Sequence, residues 1–114
     1  VTLDDLLAGL RKEYIASIPE RLILLQHLLN CGELSELQDS FHKLKGSGTT
    51  YGLPEISMVA GLAEEICRDQ QNQAPKAIPL LIELLAEIYQ RRNAEQSFDV
   101  ATDPRFSQVK LLRT

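Results

Sequence analysis

Apolar residues recur along this chain at intervals of three and four, and no run sustains an alternation of period two. That pattern predicts helices and no sheet. Thr2 and Asp5 form a capping pair that opens a first helix through Leu3, Leu6, Leu7 and Leu10. Ser17 and Glu20 make a second S-x-x-E box around Pro19, which either starts a new helix or kinks one long one. Leu22, Leu25 and Leu29 carry the stripe on until Gly32. The next helix starts near Glu33, presents Leu34, Leu37, Phe41, Leu44, Gly48 and Tyr51 on one face, and closes at Gly52. Pro54 opens another, with Ile56, Val59, Ala60, Ala63, Ile66 and Cys67 inward. The polar run RDQQNQ predicts a loop. Pro75 begins a last helix through Ile78, Leu81, Leu85 and Ile88, with Pro79 placed in its first turn.

Short loops between helices of this length imply antiparallel neighbours. The expected fold is all-α: an antiparallel up-and-down four-helix bundle with an additional N-terminal helix or a kinked first helix. Residues 1–94 form that bundle. Residues 95–114 lose the stripe and read as an extended tail or linker.

Composition narrows the function. The chain has 114 residues, enough for one domain with a real core. A net charge of −4 argues against nucleic-acid binding, which needs a basic footprint. The apolar stretches are too short and too often charged to span a membrane. The acidic start VTLDDLL has the wrong sign for a secretory leader, and the missing initiator Met suggests a piece of a longer protein. A cytoplasmic monomer is expected. Cys31 and Cys67 lack metal or redox spacing and read as reduced core thiols. His27 reads as an ordinary helix-surface residue. His27 and Cys31 stand at i, i+4, but with Cys67 they assemble no closed zinc set.

The stretch FHKLKGSGTTYGL is different. Glycine costs a helix about 1 kcal/mol relative to alanine, yet Gly46 and Gly48 follow closely on His42. On a helical wheel the apolar stripe centres roughly 130° from His42, so the histidine belongs on the solvent flank. Gln38, Lys45, Gly46 and Thr49 share its side, with Lys43 further round. A side chain at Gly46 would stand over the imidazole, so its absence leaves the ring open to a large partner. Gly48 falls on the buried stripe, where it lets another helix approach.

His42, Lys45, Gly46, Ser47 and Gly52 together match an H-x-x-K-G-S…G pattern, and here the chain resembles histidine-containing phosphotransfer (HPt) domains. The likeness is continuous over SFHKLKGSGTTYGLPEISMVAGLAEEI and looser from Leu10 to Tyr89. The resemblance implies phosphorylation of His42, with Lys45 neutralising phosphate charge, and no kinase machinery in the domain itself. It implies exchange with the aspartate of a receiver domain docked over Gln38, Lys43, Gly46 and Thr49. No cofactor is implied for this chain; Mg²⁺ is expected on the receiver. The chemotaxis-kinase branch of the family places a histidine-orienting glutamate in the following helix, which makes Glu64 a candidate for that role. Two other readings are a substrate module of a chemotaxis-type kinase and a non-catalytic helical interaction domain.

The chemistry of the residues agrees with a phosphotransfer role. An imidazole, with an ordinary pKa near 6.5, has a neutral, nucleophilic form available at about pH 7. Phosphoryl transfer is chiefly a matter of in-line positioning and charge neutralisation. The sequence contains no P-loop to bind a nucleotide.

Overall fold

A computed structural model describes residues 1–113, and all regular structure among them is helical. The helices are α1 (Leu3–Asn30), α2 (Leu34–Thr50), α3 (Pro54–Asp69), α4 (Ala74–Asn93) and α5 (Pro104–Leu111). Neighbours pair in the order α1–α2–α3–α4, and α4 returns to α1, which closes an up-and-down bundle. The core is aliphatic. Ile18, Leu25, Leu37, Phe41, Ile56, Ile66, Ile78, Leu81 and Leu85 are almost completely buried.

The termini follow from local chemistry. Thr2 Oγ1 accepts from the Asp5 N–H at 3.1 Å and the Asp5 carboxylate accepts from the Thr2 N–H at 3.2 Å, a complete capping box. Gly32 and Gly52 take φ of +70° and +78°, the left-handed turn that ends α1 and α2. Pro54 starts α3, where its missing N–H is harmless.

Three local expectations need correction. The Ser17–Glu20 box does not form a cap, because α1 runs unbroken through Pro19. Ser17 Oγ instead donates to the Tyr14 carbonyl at 2.6 Å and accepts from Arg21 Nε at 3.1 Å. Pro79 lies beyond the first turn of α4, because the helix already begins at Ala74 behind a 3₁₀ turn at Gln71–Gln73.

The third correction concerns residues 95–113, which are not an extended tail. They turn back through a 3₁₀ turn at Val100–Thr102 into α5, which packs on α4 and buries Val100, Phe106 and Val109. Asp103 caps α5 through the Arg105 N–H at 2.8 Å. Arg105 bridges the same Asp103 carboxylate to Glu87 of α4, at 2.9 and 2.6 Å. Hydrogen bonds from Arg105 hold both carboxyls below their ordinary pKa, with Arg91 also bonding to Glu87. Further along, Arg113 pairs with Glu65 and Asp69 of α3.

The closest helix contact is between α2 and α3. A Cβ at Gly48 would stand 2.6 Å from Ser57 Oγ, 3.0 Å from the Ser57 backbone nitrogen and 3.1 Å from Ile56 Cβ. At Gly46 a Cβ would meet nothing within 4 Å. Gly48→Ala should therefore lower the urea stability by about 1–3 kcal/mol through overpacking, whereas Gly46→Ala should hold or raise it by up to about 1 kcal/mol. For α5, the sign follows from lowered carboxyl pKa values. Its ionic tether is complete above the ordinary carboxylate range and is lost as pH falls through the lowered values. Hydrogen exchange over 100–111 should accelerate in acid before the α1–α4 core opens, and Arg105→Ala should produce the same local opening at neutral pH.

Candidate functional site

His42 sits at mid-length on α2, and its side chain is 68% exposed. It stands at the edge of an open groove floored by Leu24 and Leu28 of α1 and edged by Gln38, Asp39 and Lys43 of α2. The ring is exposed but held. Nδ1 lies 2.9 Å from Glu64 Oε2 and 3.2 Å from Oε1, and the glutamate comes from α3. An ionised carboxylate only accepts, so Nδ1 is the donor and carries the proton. In the neutral ring Nε2 is then the nitrogen with a free lone pair. The Glu64 side chain is only 11% exposed, so its position is fixed by the surrounding packing.

Lys43 and Lys45 differ sharply. Lys43 Nζ pairs with Asp39 at 3.3 Å, one turn earlier on the same helix. Lys45 makes no ion pair among the described residues. Its aliphatic stem crosses to α3 and lies over Gly61, where a Cβ would stand 3.5 Å from Lys45 Cδ. Ordinary van der Waals contact seats the stem and leaves the ammonium in solvent.

The remaining motif residues are mostly structural in their contacts. Ser47 Oγ shares a 2.8 Å hydrogen bond with Tyr14 OH and donates to the Leu44 carbonyl, which ties α2 to α1. Burial raises the pKa of the Tyr14 phenol, and its ring stacks on Tyr51 at 4.6 Å. Thr49 Oγ1 meets Ser57 Oγ at 2.9 Å, while Ser57 Oγ also donates to the Lys45 carbonyl at 2.6 Å. At Gly52 the left-handed turn is clamped by two arginines. Arg11 Nε donates to the Tyr51 carbonyl at 2.9 Å, and Arg92 donates to the Gly52 carbonyl and to Glu55.

The structure thus gathers His42, Lys45, Gly46 and Glu64 at one exposed seam between α2 and α3, with Gln38 and Lys43 on the groove beside it. Thr49 sits along the seam, engaged with Ser57. Of the two expected core thiols only Cys67 is buried, and burial raises its pKa to about 11. Cys31 is exposed instead, beside His27 at 3.7 Å, because it caps the end of α1 rather than facing the bundle. Among the described residues no three His, Cys, Asp or Glu side chains gather to hold a metal ion. No described helix is long and apolar enough to cross a membrane.

Sequence reasoning missed the seat under Lys45. Ser57, Gly61 and Glu64 follow one another at i, i+4 and i+7, one face of α3. Small residues at the first two positions were a legible sign of close helix approach. The acidic third position gained its meaning only from the relative height of the two helices.

A family model, the Hpt domain, matches residues 9–94. No curated protein and no solved structure matches the chain. The matched span contains all four bundle helices apart from the first turns of α1, together with the whole seam that carries His42, and the chain belongs to the Hpt domain family.

Proposed function

We propose that this domain accepts a phosphoryl group on His42 Nε2 from a receiver-domain aspartate and returns it to another. The observation that carries the reading is the His42–Glu64 contact at 2.9 Å on an otherwise open ring. A hydrogen bond at Nδ1 fixes the tautomer and aims Nε2 outward. In the step itself the Nε2 lone pair forms the N–P bond while the P–O bond to the aspartyl oxygen breaks. The aspartate leaves as a carboxylate. The ring keeps its Nδ1 proton and becomes cationic, and the Glu64 carboxylate balances that charge. No proton has to be removed.

Lys45 is the phosphate-neutralising cation, because Lys43 is already paired with Asp39. Mg²⁺ belongs to the receiver, which also brings the acceptor carboxylate. Gly46 leaves space above the imidazole for that partner. Leu24, half exposed in the groove beside His42, provides apolar surface for docking, and Gln38, Lys43 and Thr49 surround the approach. The cytoplasm, where receiver domains operate, is the proposed location.

A second reading has support from one specific contact. Glu64 reaches His42 as expected for the substrate module of a chemotaxis-type kinase. There the donor is ATP held by a separate kinase domain, and the His42 chemistry is otherwise the same.

Incubating the domain with a phosphorylated receiver and following acid-labile phosphate tests the proposal. His42→Gln should abolish labelling and shift the thermal midpoint little, since surface changes cost about 0.5 kcal/mol or less. Label on His27, or label persisting in His42→Gln, would refute the assignment. Glu64→Gln should retain receiver binding yet slow transfer roughly 10–100-fold, the loss of one charge-assisted hydrogen bond worth about 1.5–3 kcal/mol. An unchanged single-turnover rate in that variant would remove Glu64 from the mechanism.

A further inference from the structure

Two ladders of residues face each other across the α2–α3 seam. On α2, Thr49, Lys45 and His42 follow at steps of four and three residues; on α3, Ser57, Gly61 and Glu64 follow at the same steps in the opposite sense. Each rung is a contact. Thr49 Oγ1 meets Ser57 Oγ at 2.9 Å, the Lys45 stem lies over Gly61, and His42 Nδ1 bonds to Glu64 at 2.9 Å. The two helices are antiparallel and rise alike, so one rung held in register brings the other two into register.

The middle rung is van der Waals contact alone. Among the described residues, the hydrogen bonds that join α2 to α3 are those of Ser57 and the His42–Glu64 contact itself. Ser57 Oγ donates to the Lys45 carbonyl at 2.6 Å, so Thr49 is the donor in the 2.9 Å contact between the two hydroxyls. The chain from Thr49 through Ser57 to the Lys45 carbonyl begins and ends on α2, and α3 is gripped through its middle member. Apolar packing keeps helices together but has no preferred direction, whereas a hydrogen bond weakens steeply with length and angle. Rotating α3 by about 20° would move a side-chain atom about 5–6 Å from its axis by roughly 2 Å. That is enough to take the Glu64 carboxylate out of reach of Nδ1.

We propose that Ser57, oriented by Thr49, is a positioning residue for phosphotransfer. It holds α3 at the height and rotation at which Glu64 keeps a proton on His42 Nδ1 and leaves Nε2 free. The inference rests on the role proposed for Glu64 and extends it to a hydroxyl about 10 Å further along the seam. Ser57 touches neither the imidazole nor the phosphoryl group, and it acts through Glu64.

Nitrogen NMR of the imidazole in the 114-residue chain reads the tautomer with no receiver present. At about pH 8.5, well above the ordinary imidazole pKa, the original chain should show His42 mainly in its Nδ1–H form. Ser57→Ala should move the population towards the Nε2–H form, and Thr49→Val should move it the same way by less. With a phosphorylated receiver, Ser57→Ala should slow single-turnover transfer roughly three- to tenfold while receiver Kd is unchanged. In a Glu64→Gln background the same change should have less than about a twofold effect, because no carboxylate remains to be misplaced. A Ser57→Ala chain with the original tautomer would overturn the proposal. So would equal slowing in both backgrounds, which is the mark of a structural loss that does not pass through Glu64. If Glu64→Gln alone leaves transfer unchanged, the reading of Glu64 fails instead, and the ring spectrum still decides whether Ser57 sets the contact.

Discussion

The approach of α2 to α3 at Gly48 governs the site. With no side chain at Gly48, the Ser57 hydroxyl and backbone fit against α2, and Ser57 Oγ reaches the Lys45 carbonyl. That hydrogen bond fixes the height of one helix against the other as well as their separation. Once Ser57 is level with Lys45 and Thr49, the helical repeat of α3 carries Gly61 under the Lys45 stem. One turn further it brings Glu64 to the His42 ring. A single glycine on a buried stripe thus sets a geometry about two turns of helix in extent.

The same seam separates what is held from what is open. Glu64 is buried to its carboxylate, so the hydrogen bond to Nδ1 is made by a group with little freedom. Lys45 is held only by its methylenes, and its ammonium keeps the reach to follow a phosphoryl group as charge moves. His42 combines the two, with one nitrogen anchored and the other facing solvent. Preorganisation at Nδ1 lowers the entropy cost of aiming Nε2, and exposure at Nε2 admits a partner as large as a protein domain.

Much of this was legible in the sequence because helices with one wet face announce themselves by spacing. The bundle helices, the Thr2–Asp5 cap, the Gly32 and Gly52 stops and the exposed flank of His42 all follow from local patterns. What failed was non-local or compensated. Pro19 reads as a new helix start or a kink, yet α1 runs on through it, with Ile18 before it and Leu25 after it buried in the core. Residues 95–113 read as a tail because α5 is a short helix, with few apolar positions and no sustained stripe. Its docking rests on Phe106, Val109 and the Arg105 bridge to Glu87, a contact 18 residues apart in the chain that no periodicity reveals. The Glu64 contact, suggested by family likeness alone, depends on interhelical register.

The long α1 links these observations. Along its bundle-facing length it gives Tyr14 to Ser47 and Arg11 to the Tyr51 carbonyl, so it braces the last turn and the C-cap of α2. The Arg11 contact marks where support from the bundle ends, since every residue before Tyr14 is exposed. Beyond that point the helix has only its capping box and its own propensity, and an isolated stretch of about ten residues is marginal in water. Tertiary packing stabilises most helices. The leucine stripe at Leu3, Leu6, Leu7 and Leu10 therefore belongs to the stretch of α1 that the bundle supports least.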